Sequence, residues 1–283
     1  MTPCVPLPES QVFTHEAMHT TFTLRLIGAE EPLVAGAASE CLELLDQLES
    51  KLSRFIDGSD VFRINRMQAG EILYLSDPCH QCLLLAMRAH AMTGGLFDIT
   101  LGSRIAHRKA GADGPLPALA GKLVIDPDMA AITCASPGRE IDLGGIAKGF
   151  ALDQMAALLP DWGVSGALLA AGASSLLAIG PQAWPVQLAG ELATRQLALT
   201  NRSLSASGTE VQGCHIVHPG GDASHGSYLS QRVWAVSPTA ALAEAWSTAL
   251  MLMSAEEAAA AIARDDTLLH AYAEFDGRVE ELK

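Results

Sequence analysis

From His19 to Ile27 the chain alternates, with Phe22, Leu24 and Leu26 on one parity and Thr23 and Arg25 on the other, the period-two pattern of a half-buried strand. The period then lengthens. Cys41, Leu45, Leu48 and Leu52 recur at helical spacing while Glu40, Glu43, Asp46 and Glu49 fill positions between them, which predicts an amphipathic helix with its acids in solvent. Asp77-Pro78 reads as an N-cap and first helical residue, and Gly94-Gly95 as the stop of that second helix. Leu123 to Ile125 and Ala131 to Cys134 read as strands around a Pro-Asp turn, followed by a glycine turn into a helix from about Ile146 to Leu159. Short apolar strands are expected near Ala167 to Leu169, Val186 to Leu188, Gln196 to Leu199 and Arg232 to Val236. Ser237-Pro238 should cap a helix running to about Met253, Ser254 the next one, and Asp276-Gly277 should turn a closing hairpin. Strands often follow strands here, so the expected class is α+β with mixed, mostly antiparallel sheets packed against helices, not a strict βαβ winding.

No repeat, charge block or linker divides the 283 residues, and a single domain of two closely packed lobes accounts for residues 1–283. A composition 49% apolar and 18% charged is that of a globular chain with a substantial core. The net charge of −14 has the wrong sign for a nucleic-acid backbone or an anionic lipid surface, so neither is an expected partner. Trp162 to Gly190 carries no charge, but Pro181 and Pro185 with Gly166, Gly172 and Gly180 oppose a transmembrane helix there. The start, Met-Thr-Pro-Cys-Val-Pro-Leu-Pro, has no secretory pattern, and the expected location is the cytoplasm. Six cysteines in a chain of this length are too few for a disulfide framework, and reduced thiols fit better.

Four segments could carry chemistry. Glu140 to Gly149 places two glycines and Lys148 where a strand turns into a helix, a build that suits an anion through free helix N-terminal amides and a nearby positive charge. It has neither the P-loop spacing nor G-x-G-x-x-G, and a plain tight turn with a surface lysine is the other reading. Farther on, Leu242, Trp246, Ala249 and Met253 form a core stripe, leaving Glu244 and Thr248 four residues apart on the other face. Glu244 is the only charge between Val233 and Ala255. A carboxylate in so apolar a setting needs a partner or a cation, and beside a hydroxyl it offers hard oxygen ligands for Mg²⁺; the alternative is an acid reaching solvent. Cys214, His215 and His218 lack a second ligand pair for zinc, and His215 could equally be a general base or a satisfied polar residue. Cys79 and Cys82 flank a helix start that would depress a thiol pKa, with buried structural thiols as the default.

Taken in order, these segments resemble the FAD:protein FMN transferase family, the ApbE-like flavin transferases. Met18-His19-Thr20-Thr21-Phe22 is similar to the family's opening Met-Gly-Thr strand, and Ser53-Arg54-Phe55 through Ser59 to Asn65 to its Ser-x-aromatic, Ser-Glu and Asn segment. The strongest likenesses are Thr93-Gly94-Gly95-Leu96-Phe97-Asp98-Ile99-Thr100 to T-x-G-x-F-D-x-T, and Asp142 to Asp153 to the D-L-G-G-I-A-K-G segment. His215 to Pro219 resembles H-I-x-D-P, and Glu244 to Ala249 falls on D-x-x-x-T-A. The resemblance implies an FAD site lined by Met18, Phe55, Leu96, Phe97, Asp98, Asp142, Lys148 and His215. It also implies Mg²⁺ held by the Gly145 carbonyl, the Glu244 carboxylate and the Thr248 hydroxyl. The implied reaction moves FMN from FAD to a Thr or Ser hydroxyl of a target flavoprotein and releases AMP, with Lys148 and the Glu244-held cation serving the phosphoryl group and His215, or a carboxylate near the metal, taking the proton.

The chain departs from that pattern mostly in its second half. Glu244 stands for an Asp, His218 for the Asp before Pro219, Gly220-Gly221 for Arg-Thr, Ala206 for a Thr, and Gly172-Ala173-Ser174-Ser175 for a Gly-Gly-Asp-like turn. One extra methylene at Glu244 displaces a cation by about 1 Å, a change worth on the order of 10²-fold in rate, so Glu244→Asp is expected to speed transfer. An FAD-binding homologue without transferase activity, and an FAD pyrophosphatase with water as acceptor, are the alternatives.

Overall fold

The computed structural model describes residues 9–28, 30–208, 216–221 and 232–282. The chain opens with strands β1 (Gln11–Ala17) and β2 (Thr20–Ile27), helices α1 (Glu31–Leu52) and α2 (Asp60–Ile64), and strand β3 (Ile72–Tyr74). Helices α3 (Asp77–Met92) and α4 (Gly102–Lys109), strands β4 (Lys122–Ile125) and β5 (Ala131–Ser136), and helix α5 (Ala147–Leu158) follow. Then come β6 (Gly166–Ala171), β7 (Ser175–Ile179), β8 (Trp184–Ala189), β9 (Thr194–Leu199), β10 (Ser203–Gly208) and β11 (Arg232–Ser237). Helices α6 (Ala240–Leu250) and α7 (Ala255–Arg264) precede the last hairpin, β12 (His270–Phe275) and β13 (Arg278–Leu282).

Eight strands make one sheet in the order β1-β2-β6-β7-β10-β11-β12-β13, every neighbour antiparallel, while β3-β5-β4 and β8-β9 form smaller antiparallel sheets. This is the α+β, mostly antiparallel organisation expected. The large sheet has two different faces, because successive residues of a strand point opposite ways. Leu169, Leu177, Val233, Ala235, Ala271 and Ala273 join the core beneath the helices. Their neighbours Leu168, Ala178, Trp234, Val236 and Tyr272 join a second core with Trp184, Val186, Leu188 and Leu199, contributed by the β8–β9 hairpin. Helix α6 lies on β10 and β11 over the first face and packs against α5.

Helix α1 buries Cys41, Leu45, Leu48 and Leu52 as its period requires, yet Glu49 turns inward far enough to accept the Met18 amide at 2.8 Å. Helix α3 starts one residue earlier than expected, with Ser76 as N-cap, and ends before Gly94 and Gly95, both at left-handed φ. Helix α6 is likewise capped at Thr239 instead of Ser237 and ends at Leu250, short of Met253. Ser254 does cap α7, with Glu257 completing the capping box. The uncharged Trp162–Gly190 stretch holds β6, β7 and all of β8, turned by Gly172 and Gly180, and no helix among the described residues is long and apolar enough to cross a membrane.

Candidate active site

The α5 end of the site is built by a loop that the rest of the chain holds still. Leu101 and Glu140 bridge in parallel, Gly102 N donates to Glu140 O at 3.0 Å and Asp142 N to Ile99 O at 2.8 Å, so the Phe97 and Asp142 segments run side by side. Asn65 bonds both polar groups of Ile141, through Nδ2 to its carbonyl at 2.9 Å and through Oδ1 from its amide at 2.7 Å. Arg54, which the sequence reading passed over, is the hub. Its guanidinium reaches Glu140 at 2.7 Å, Asp142 Oδ2 at 3.1 Å and the Gly102 carbonyl at 3.0 Å. A charged fork with three acceptors is a strong, directional tie. Only a glycine fits at 102, where a Cβ would lie 2.8 Å from both Arg54 Nη1 and Glu140 O.

Asp142 in turn accepts the Gly144 amide on Oδ1 at 2.8 Å, and the Ile146 and Ala147 amides bond Leu143 O at 3.0 and 2.8 Å. The diglycine turn therefore does not present the row of free amides that its sequence suggested, because the chain turns those donors back on itself. Its positive group is Lys148, whose Nζ lies 3.3 Å from Gly144 O and 3.4 Å from Glu244 Oε1.

Glu244 is 3% exposed, so the solvent-reaching alternative is wrong. A buried carboxylate without compensation is costly, and this one is compensated on one oxygen only. Oε1 accepts from Ser175 Oγ at 2.5 Å and faces Lys148; Oε2 is buried with no hydrogen-bond partner among the described residues. Strand alternation supplies the surrounding hydroxyls. Ser175 shares the parity of Leu177, and Ser205 and Ser207 flank Ala206, so all three point toward α6. Ser247 links them, 3.2 Å from Ser205 Oγ and 2.9 Å from Ser207 Oγ. Gly145 and Thr248 face each other closely, since a Cβ on Gly145 would meet Thr248 Oγ1 at 3.4 Å and Phe97 at 3.1 Å.

These groups line a single cleft of about 410 Å³, on the scale of ligand sites. Met18, Phe55, Leu96, Phe97, Asp98, Asp142, Gly145, Lys148, Glu244 and Thr248 all border it. Phe97 is buried in its wall, while Phe55 is 68% exposed at its mouth with its ring edge-on to His19. Asp98 accepts the amide and hydroxyl of Thr100, each at 2.7 Å, which fixes its carboxylate. Met18 and His19 form the β1–β2 turn with φ of 50° and 59°, the left-handed pair of a two-residue hairpin turn. His215 lies outside the described residues; Val217 and Ile216, just after it, border the cleft. Arg104 ties that segment to α4 by donating to Pro219 O at 3.0 Å.

Burial sets the chemistry of the described cysteines. Cys41, Cys79, Cys82 and Cys134 are free and buried. Burial drives the Cys79 thiol up, with Asp60 adding to it, and burial drives the Cys82 thiol up, with Cys79 and Glu244 adding to it. The helix-start effect is overridden by desolvation, and neither thiol is a nucleophile. No group of three or more His, Cys, Asp or Glu side chains able to hold a metal occurs among the described residues.

Fold and site thus define an α+β protein with a ligand-sized cleft, floored by hydroxyls and by a buried acid beside a lysine. A sequence model of the ApbE family matches residues 18–273, and the chain belongs to that family. It is similar to the FAD:protein FMN transferase of Klebsiella pneumoniae (strain 342), with 25% identity over 91% of this chain and 82% of that protein. The protein of the same name from Salmonella typhimurium (strain LT2) is 23% identical over 91% and 83%. Among solved structures, the apo form of Pseudomonas stutzeri flavinyl transferase ApbE superposes with a TM-score of 0.80 at 22% identity, covering 96% of this chain and 94% of that one. The flavin transferase ApbE from Vibrio cholerae gives 0.78 at 18% identity, covering 96% of each.

Proposed function

We propose that this chain transfers the FMN half of FAD to a Thr or Ser hydroxyl of a target flavoprotein, with release of AMP and with Mg²⁺ as the metal. The observation that carries the reading is the position of Glu244, a buried acid with one oxygen unpartnered among the described residues, beside Lys148 and the diglycine turn on the floor of a ligand-sized cleft. The donors near that oxygen suit a hard cation. The Gly145 carbonyl, the Glu244 carboxylate and the Thr248 hydroxyl are the residues that would hold Mg²⁺. When bound, such an ion acts as a Lewis acid on phosphoryl oxygens.

The chain's own residues do the rest. Lys148 puts its positive charge where charge grows on the diphosphate, beside the apolar wall of Phe97 and Leu96. Phe55, Met18 and Leu96 offer apolar contact to a flat ring system, and Asp98 and Asp142 stand fixed as acceptors. The acceptor hydroxyl attacks the phosphorus on the FMN side, the bond to the bridging oxygen breaks, and AMP leaves with that oxygen. His215, or a carboxylate near the metal, takes the hydroxyl proton.

Incubating the protein with FAD, Mg²⁺ and a Thr-containing acceptor peptide and weighing the peptide tests this. An added FMN mass that disappears with EDTA is the expected result. AMP and FMN without labelled peptide would replace the reading with a pyrophosphatase, and FAD retained unchanged would replace it with a flavin carrier.

A further inference from the structure

Helix α6 begins without a side-chain cap of its own. Thr239 stands at the N-cap, but its hydroxyl is buried and makes no bond among the described residues. The first amides of the helix are satisfied instead from α5, where Asp153 accepts Ala240 N on Oδ1 at 2.8 Å and Ala241 N on Oδ2 at 2.9 Å. One turn earlier on α5, Gly149 sits so close that a Cβ there would lie 2.4 Å from Ala240 O and 2.6 Å from Ala241 N. Gly149 and Asp153, four apart, present one face of α5 to the start of α6. Lys148 precedes that face by one residue, and Glu244 follows Ala240 by one turn.

We infer that Asp153 is a positioning residue, a cap lent by one helix to another that, with Gly149, sets the separation of Lys148 from Glu244. A carboxylate gripping two amides at a helix N-terminus is bound by charge, hydrogen bond and dipole together, so the register of α6 on α5 is held where the two functional side chains must meet. Backbone contact at Gly149 stops the helices from approaching further, and Asp153 stops them from parting. The inference rests on the proposed function only for what the spacing serves; the spacing itself is measurable without substrate or metal.

Lys148 is the reporter. A lysine whose Nζ is held 3.4 Å from a buried carboxylate oxygen and 3.3 Å from the Gly144 carbonyl is engaged by both, and reacts slowly with acetic anhydride. Asp153→Ala and Asp153→Asn, in the full chain without FAD or metal, are labelled at trace levels, and the rate at Lys148 is compared with those at Lys51 and Lys122 by mass spectrometry. The inference predicts labelling of Lys148 severalfold faster in Asp153→Ala, because the amine leaves its two partners when the helices part, and a smaller rise in Asp153→Asn, which keeps one acceptor. Gly149→Ala keeps the Asp153 charge and should give the same rise, which separates spacing from lost charge. Unchanged Lys148 labelling in folded variants overturns the inference, as does a rise shared equally by Lys51 and Lys122. Should Asp153→Ala fail to fold, Asp153→Asn decides. A wild type that transfers no FMN would defeat the proposed function and leave this result readable.

Discussion

The two faces of the large sheet are built from the same strands and have opposite chemistry. Toward the β8–β9 hairpin, Trp184, Trp234, Tyr272, Leu188 and Leu199 fill the space with rings and branched chains. Toward α6, the same strands place the buried Ser175, Ser203, Ser205 and Ser237 among Leu177, Val233 and Ala235, around the equally buried Glu244. Apolar burial stabilises at about 25 cal/mol per Å², and hydroxyls and an acid in the same place contribute far less. Both faces carry apolar core, but the helix face gives some of that burial up to hold an acid in a defined place. The structure keeps the two apart by nothing more than strand parity.

The sharpest way to break this comparison is to empty the hairpin face. Trp184→Ala should lower unfolding free energy by about 3–5 kcal/mol in denaturant titrations, while the folded fraction keeps its FMN transfer. Loss of transfer in molecules that remain folded would show that the faces are coupled. The next effect is on the polar face. On sequence grounds Glu244→Asp should accelerate the reaction, but Ser175 donates to Glu244 Oε1 at 2.5 Å, so this chain's own serine takes up the longer side chain. Shortening the acid withdraws it from Ser175, and transfer is expected to fall on the order of 10²-fold. An increase would mean that Ser175 does not set the reach.

A smaller effect lies in pH. Burial, opposed by the two α6 amides and aided by Glu244, pushes the Asp153 carboxyl from its ordinary 3.8 up to about 6. The folded chain thus binds this proton more tightly than the unfolded chain does. Its contribution to stability is full below pH about 4 and declines as pH rises to about 6, the reverse of a salt-bridged acid. Asp153→Asn should flatten that part of the melting-temperature profile between pH 4 and 6. An unchanged profile would place the titration elsewhere.

Sequence periodicity made α1, α3, α5 and α6 legible because each buries a stripe, and the closing hairpin because Asp276-Gly277 accepts left-handed φ. It missed β7 and β10. Strand signals depend on apolar and β-branched residues, and the site face of β10 is Ser203, Ser205 and Ser207, while β7 is only five residues long and opens on Ser175. It missed β1 because Met18 and His19, neither a usual turn former, make the left-handed turn. The residues named through the resemblance border one cleft, His215 excepted, since it lies outside the described residues. Arg54 and Asp153 stayed invisible for a common reason. Each acts through contacts 48 to 88 residues away, and spacing along a chain carries no sign of them.

Equilibrium dialysis with Mn²⁺ as a stand-in for Mg²⁺, in wild type and Glu244→Gln, tests most directly whether the unpartnered carboxylate oxygen is a cation ligand. The account predicts saturable binding in the wild type, tightened by FAD and lost in Glu244→Gln although the variant stays folded. Equal binding by both proteins, or none by the wild type with FAD present, would contradict it.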